Sequence, residues 1–262
     1  MSFILEGVLL PTIGFFGIIA NTAAILYFRR QRRVTETYHG LLLVLAIVDS
    51  LLILSCFCTF LLPILLDSSI RKSDWYYVMW ILPIAHVLCT ANIYVTAALS
   101  VDRYISICKP LFYRGHTWTR RRVIVPILVF SLVYNIPKFF ELQWTTRNEI
   151  VNGTNITYEK ISWTEMRQNK FYIQLYCLWC NVIFHMILPC SLLVTLNTCT
   201  LIEMRKNKSN NDVGKEAQRR MVQVHMAEVN IIIVVIFIIC YSIRYITTIS
   251  ELIWVSNNDI EI

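Results

Sequence analysis

The sequence predicts an all-α membrane protein, a single domain in which long apolar helices pack as a bundle. Hydrophobic residues make up 56% of the 262 positions and charged residues only 16%, and the mean hydropathy is +0.55. A helix needs about 20 apolar residues to cross the hydrocarbon core of a bilayer. Six such stretches follow one another, at 5–28, 41–66, 75–108, 123–140, 171–201 and 222–254. We interpret the first as a span and not a cleavable signal peptide, because no basic segment precedes it and no small-residue cleavage site follows it.

The charged residues between these stretches predict the orientation of the chain. Fifteen of the 24 Lys and Arg residues lie in the first, third and fifth connecting segments, the last of which covers 202–221, and a sixteenth, Arg103, lies at the inner end of the third span. The positive-inside rule places these segments in the cytoplasm, so we expect the N-terminus outside. Topology therefore accounts for the net charge of +7, and binding to nucleic acid is not expected.

The segment 141–170, between the fourth and fifth spans, is the predicted second extracellular loop. It holds two adjacent glycosylation sequons, which begin at Asn152 and Asn155. Both lie on the side that the charge distribution places outside, so both asparagines are predicted to be glycosylated. A further sequon at Asn207 lies on the cytoplasmic side and is expected to stay unmodified.

The cysteines do not indicate a metal site or a cofactor. All nine fall within the predicted spans, where oxidation to disulfides is not expected. Cys177 and Cys180 have the spacing of a metal or redox pair, but they lie in an apolar stretch without a second pair of ligands. We interpret them as structural thiols.

Three polar residues lie at similar depths in the first three spans: Asn21, Asp49 and Asn92. An aspartate at the centre of a membrane helix costs about 3 kcal/mol, so Asp49 is expected to face the bundle and find partners. One interpretation is that these residues hold the helices together through hydrogen bonds. The other is an ion or water site centred on Asp49.

Four prolines toward the outer halves of the second to fifth spans predict a cavity open to the outside. They are Pro63, Pro83, Pro137 and Pro189. A proline removes a backbone donor and tends to kink its helix, which opens space on one side of a bundle. Aromatic side chains at this depth could line the cavity, and the alternative is that they anchor the protein at the membrane interface. The candidates to line the cavity are Trp80, His86, Phe139, Phe140, Gln174 and Tyr176.

The inner end of the third span carries the triplet Asp102-Arg103-Tyr104. Charged residues at the edge of a membrane are expensive to bury and are usually retained for a task. With the other polar and proline positions, this triplet resembles the rhodopsin-like (class A) G-protein-coupled receptors. The matching positions are Asn21, Asp49 within 45–49, Asp102-Arg103-Tyr104 with Pro110-Leu111, Pro189, and Phe237 to Cys240. Segment 134–141 is similar to that of invertebrate FMRFamide-type neuropeptide receptors.

The resemblance implies a role for each matched residue. Asp102 would hold Arg103 at rest and release it toward a heterotrimeric G protein, with Tyr104 and Pro110 beside them and Leu111 as an apolar contact. Asp49 would be a sodium-site carboxylate, with Asn21 and Asn92 near it. The packing switch of the sixth span would be formed by Phe237, Cys240 and Tyr241.

An amidated peptide ending in Arg-Phe would bring a cation to the outer cavity, so a carboxylate is the expected partner. Glu141 is the first candidate because it follows Pro137, and the alternative is that Glu141 is a solvated carboxylate at a helix end. Further acidic candidates are Asp67, Asp74 and Glu251, and the uncharged ligand candidates are Phe139, Phe140, Gln174 and Tyr241.

Several positions depart from the family pattern. Val78 stands where the family has a disulfide cysteine, and the segment 141–170 contains no cysteine to pair with it. The proline of the sixth span is replaced in Cys240-Tyr241-Ser242-Ile243, and Gln223 stands where many relatives have an acidic residue. No seventh apolar span follows Trp254 within the 262 residues. We interpret the chain as a fragment or incomplete gene product, or else a natural truncated isoform.

The missing span leads to further expectations. The chain alone is expected to be unstable or to signal poorly, to be retained in part in the endoplasmic reticulum, and to act, if it acts, by pairing with intact receptors as a dimer. The sequence lacks the motifs of other six-span classes of membrane protein. The fourth span has no arginine series for a voltage-gated channel, no Gly-x-Ser nucleophile indicates a protease, and no repeated halves indicate a transporter. An enzyme is not expected.

Overall fold

The computed structural model describes residues 10–30, 36–61, 77–115, 120–151 and 154–207, together with positions 246, 249, 250 and 253. Within these ranges five helical segments are long and apolar enough to cross a membrane. The predicted sixth span at 222–254 lies outside the described residues except for those four positions. The predicted all-α membrane bundle is confirmed, and the structure adds one β-hairpin to it.

The first two spans pack against each other. Helix α1 is Leu10–Arg30, and α2 is Glu36–Cys56, which continues as a π-helical turn at Phe57–Leu61. Glycines on α1 allow the close approach of α2, since a Cβ at Gly17 would lie 2.8 Å from Ile53 Cδ1. Small residues at helix contacts are typical of membrane bundles.

The third span is a single helix, α3, at Val78–Cys108. It continues through Pro83, which lies near its start and does not end it. Its middle is deeply buried, with Thr90 and Val95 fully inaccessible. A short helix, α4, follows at Pro110–Gly115.

The fourth span is α5 at Arg120–Tyr134, which ends in a 3₁₀ turn at Ile136–Phe140. The change of helix type falls at Pro137, which cannot donate a backbone hydrogen bond. Asn135 at this junction is buried and donates from Nδ2 to Thr90 Oγ1 of α3 at 2.8 Å. This hydrogen bond ties the end of α5 to α3.

A β-hairpin follows, where the sequence predicted only a loop. Strand β1 is Leu142–Val151 and β2 is Thr154–Trp163, and they pair antiparallel from Leu142 with Trp163 to Val151 with Thr154. The signal for this hairpin was Asn152-Gly153, a dipeptide that favours two-residue hairpin connections. The same dipeptide begins the sequon at Asn152.

The fifth span is irregular before Pro189 and regular after it. A short helix α6 at Glu165–Gln168 and a turn α7 at Lys170–Tyr172 lead into π-helical segments at Ile173–Cys180 and Val182–Ile187. Helix α8 then covers Leu188–Asn207, six residues beyond the predicted end of the span at 201.

The position of Pro189 explains one hydrogen bond in this region. In π-helical register the carbonyl of Phe184 would accept from the backbone N–H of residue 189, and proline has none. The hydroxyl of Tyr94 on α3 donates to this carbonyl at 2.9 Å instead. The buried carbonyl is thereby satisfied from a neighbouring helix.

Candidate functional site

The triplet Asp102-Arg103-Tyr104 lies in the last turns of α3, and all three side chains are partly buried. Ser106 Oγ donates to the carbonyl of Arg103 at 2.8 Å, within the same helix. The helix geometry continues beyond the triplet, since the backbone N–H of Lys109 donates to the carbonyl of Ile105 at 3.0 Å. The triplet is therefore held on regular helix, not on a loose end.

Helix α4 presents an apolar side chain beside this triplet. Pro110 occupies its first position, where a missing N–H costs nothing. Leu111 is 85% exposed, the highest value among the large hydrophobic side chains described, and the neighbouring Phe112 is also exposed. An exposed apolar pair next to a basic helix end is typical of a surface that binds a partner.

The polar residues of the first three spans are partly brought together. Asn92 Nδ2 of α3 donates a hydrogen bond to Asp49 Oδ1 of α2. Asn21 is partly buried on α1, and among the described residues no hydrogen bond joins it to Asp49. A carboxylate and an amide at contact distance supply oxygen donors of the type that hard cations prefer.

Glu141 lies in a different setting from the one that the sequence suggested. Its side chain is only 6% exposed, and Oε1 lies 2.6 Å from Lys138 Nζ while Oε2 lies 3.5 Å from Arg167 Nε. The alternative of a solvated helix-end carboxylate is wrong, because the turn at 136–140 and helix α6 enclose this carboxylate between two cations. A ligand cation would have to compete with both.

The uncharged ligand candidates of the outer region are accessible to different degrees. Phe140 is 63% exposed, Phe139 is partly buried and Gln174 is exposed. Of the other cavity candidates, Trp80 is exposed, and His86 Nδ1 lies 2.9 Å from the carbonyl of Leu82 in its own helix.

A buried polar pair on the fifth span escaped sequence analysis. His185 Nδ1 lies 2.8 Å from Asn181 Oδ1, and Asn181 Nδ2 donates to the carbonyl of Cys177 at 3.0 Å. Both side chains are buried in the π-helical part of the span. The available signal was the Asn-x-x-x-His spacing four residues before Pro189, which places both side chains on one helix face.

Several predicted site residues lie outside the described part of the chain. They are Phe237, Cys240, Tyr241, Glu251, Asp67, Asp74 and Asn152. Asn155 lies on β2, paired with Ile150 of β1. Within the described ranges, no group of three metal-ligating side chains comes together, and the described cysteines are free thiols.

The sequence matches the family of 7 transmembrane receptors (rhodopsin family) over residues 20–261. The chain therefore belongs to the rhodopsin family of seven-transmembrane receptors, which are signalling receptors and not enzymes. The predicted membership of class A, made from the ordered motifs, is confirmed.

Among its relatives, the chain is 27% identical to the FMRFamide receptor of Drosophila melanogaster, an alignment that covers 94% of this chain and 45% of the relative. It is 24% identical to the FMRFamide peptide receptor frpr-18 of Caenorhabditis elegans, over 90% of this chain and 54% of the relative. The resemblance to FMRFamide-type receptors is thus confirmed. The chain spans about half the length of these curated relatives.

Proposed function

We propose that this receptor binds an extracellular amidated neuropeptide of the FMRFamide type and activates a heterotrimeric G protein. The observation that carries the proposal is the surface beside Asp102-Arg103-Tyr104, where Leu111 is 85% exposed on its own short helix. Covering this leucine by a partner would contribute to binding, because removing apolar surface from water is favourable.

The G protein is the proposed occupant of this surface. Leu111 would enter an apolar pocket of the partner, and Arg103 would contact its backbone after release from Asp102. Ligand binding would act as a population shift, since an agonist moves the equilibrium only by its differential affinity for the two states. Phe237, Cys240 and Tyr241 remain the proposed switch of the sixth span.

The peptide ligand is supported by the names of two relatives, which are described as receptors for FMRFamide. The ligand would approach the outer region, where Phe139, Phe140 and Gln174 are proposed contacts. Tyr241 and Glu251 are proposed contacts from the sixth span. The charged environment of Glu141 supports a different role for that residue, which is developed below.

The pair Asp49 and Asn92 is the proposed polar core of the bundle, with Asn21 on the neighbouring helix. When bound there, sodium would neutralise the Asp49 carboxylate within the membrane. The side chains of this chain would supply the Asp49 carboxylate and the Asn92 carbonyl, while the amide nitrogen of Asn92 holds the carboxylate in place.

The proposed orientation has the N-terminus and the hairpin outside the cell. It is supported by the distribution of Lys and Arg and by the two sequons at one end of the hairpin, Asn152 and Asn155. The receptor would reach the plasma membrane as a glycoprotein. Partial retention in the endoplasmic reticulum and pairing with a second receptor remain proposals for the 262-residue chain.

The experiment is a second-messenger assay in cells that express the product of the complete transcript. Peptides ending in Arg-Phe-amide are compared with the same peptides as free acids, and Arg103→Ala is compared with the unaltered receptor. We expect a response to the amides only, and binding without a response in Arg103→Ala. Binding without activation by the unaltered receptor would support a non-signalling role, and an absence of both would contradict the proposed ligand class.

A further inference from the structure

We propose that Lys138, Glu141 and Arg167 form a charge clamp that fixes the β-hairpin to the end of α5, and that Glu141 is a positioning residue of this hairpin. The three side chains are 9%, 6% and 11% exposed, so all three charges are almost withdrawn from water. Burial of charges at this level is costly unless they are paired. A structural role must therefore offset the cost of bringing these three charges together.

The positions of the three residues along the chain supply this reason. Lys138 lies in the 3₁₀ turn that ends α5, Glu141 directly precedes β1, and Arg167 lies in α6 directly after β2. Glu141 is 2.6 Å from Lys138 and 3.5 Å from Arg167. One carboxylate therefore joins the segment that enters the hairpin to the segment that leaves it.

Hydrogen bonds join the segments before and after the hairpin at the same place. The N–H of Thr164 donates to the carbonyl of Glu141 at 3.0 Å, and Thr164 Oγ1 donates to the carbonyl of Phe140 at 2.8 Å. The guanidinium of Arg167 also lies over the ring of Trp163, 5.1 Å from its centroid. These contacts orient Arg167 toward Glu141 while the last residue of β2 is held by the same side chain.

The hairpin has no covalent tie to replace these contacts. Residues 142–163 contain no cysteine, and every described cysteine is a free thiol. A two-stranded hairpin alone is marginally stable in water. Its persistence and its direction relative to α5 therefore depend on the clamp.

The clamp also fixes the direction in which one face of the hairpin points. The register places Leu142, Trp144, Ile161 and Trp163 on one face, and both tryptophans are exposed. Because the clamp holds Glu141 and Arg167 at the two strand ends, it fixes the direction of this aromatic face. The inference goes beyond the proposed function, since it holds whichever ligand the receptor binds.

The test is hydrogen–deuterium exchange of the amides of 142–163, measured by mass spectrometry on the full chain in lipid nanodiscs without ligand. A double-mutant cycle uses Lys138→Met, Glu141→Gln and the double variant, with Glu165→Gln as the control because Glu165 is exposed on the same short helix as Arg167. We expect each single change to accelerate exchange at least about 10-fold. The acceleration in the double variant should be well below the product of the accelerations in the two single variants, because the second change affects an ion pair that is already broken.

If a single variant does not reach the membrane, Arg167→Gln takes its place in the cycle, since it removes the longer contact of the clamp. Unchanged exchange in the single variants, or effects that multiply as independent changes do, would overturn the clamp. Because no peptide or G protein is present, this outcome is independent of the second-messenger assay.

Discussion

At the end of α5 three charged side chains are almost fully buried against one another, whereas beyond the end of α3 an apolar side chain, Leu111, is 85% exposed. Buried charges are rare unless they are paired, and these three lie within ion-pair distance of one another. The leucine has the highest exposure among the large hydrophobic side chains described.

We propose that the first region maintains the receptor and that the second acts in it. Within the first region, polar contacts bridge segments that are distant in sequence, such as Glu141 and Arg167. Within the second, the backbone is regular helix and the distinctive feature is the surface that it presents. Substitutions in the two regions should therefore change different measurements.

The largest expected effect is on stability, from Lys138→Met. This change removes the shorter contact of the buried Glu141 carboxylate, and breaking a buried ion pair typically costs about 3 to 5 kcal/mol. We expect a clearly lower melting temperature of the purified chain in nanodiscs. The matched control is Lys109→Met, at an exposed lysine directly after α3, and equal melting of the two variants would show that the buried pair contributes no stability.

The next effect is on coupling, from Leu111→Ala. Truncation of a central apolar contact typically costs about 2 kcal/mol of binding free energy, which corresponds to about 30-fold in affinity. We expect G-protein activation to weaken by this order while peptide binding and melting temperature stay unchanged. Leu128→Ala, at an exposed leucine of α5, is the control. A parallel loss in both variants would mean that Leu111 has no special role.

The smallest effect should come from Tyr94→Phe, which removes the hydroxyl that donates to the carbonyl of Phe184. Hydrogen bonds between membrane helices are worth about 0.6 kcal/mol on average, so only a small loss of thermal stability is expected. A large loss of coupling in Tyr94→Phe would place the π-helical segment in the switch itself.

The sequence was sufficient to predict the five described spans, because hydropathy over about 20 residues is a strong signal. The contact between Asp49 and Asn92 was also anticipated, since a buried carboxylate needs a partner. The hairpin was missed, although Asn152-Gly153 was a local signal for it. The environment of Glu141 could not be predicted, because Arg167 approaches it only once the two strands have paired.

The pair of Asn181 and His185 shows a similar limit. Each residue was interpreted as part of an apolar span, and a spacing of four residues alone does not show that both polar side chains are buried. Helix type within a membrane span is set by packing and by distant donors such as Tyr94, which a pattern of apolar residues does not report. The contacts of the polar side chains are therefore less predictable from the sequence than the topology of the spans.

The most direct test of the account is photo-crosslinking from two positions of the complete receptor in cells. A benzoylphenylalanine replaces either Leu111 or Trp144, which is exposed on the hairpin, and the cells are illuminated with and without an activating peptide. We predict agonist-dependent capture of the G protein α subunit from position 111 and none from position 144. Capture from position 144, or activation without any capture from position 111, would contradict the assignment of the two regions.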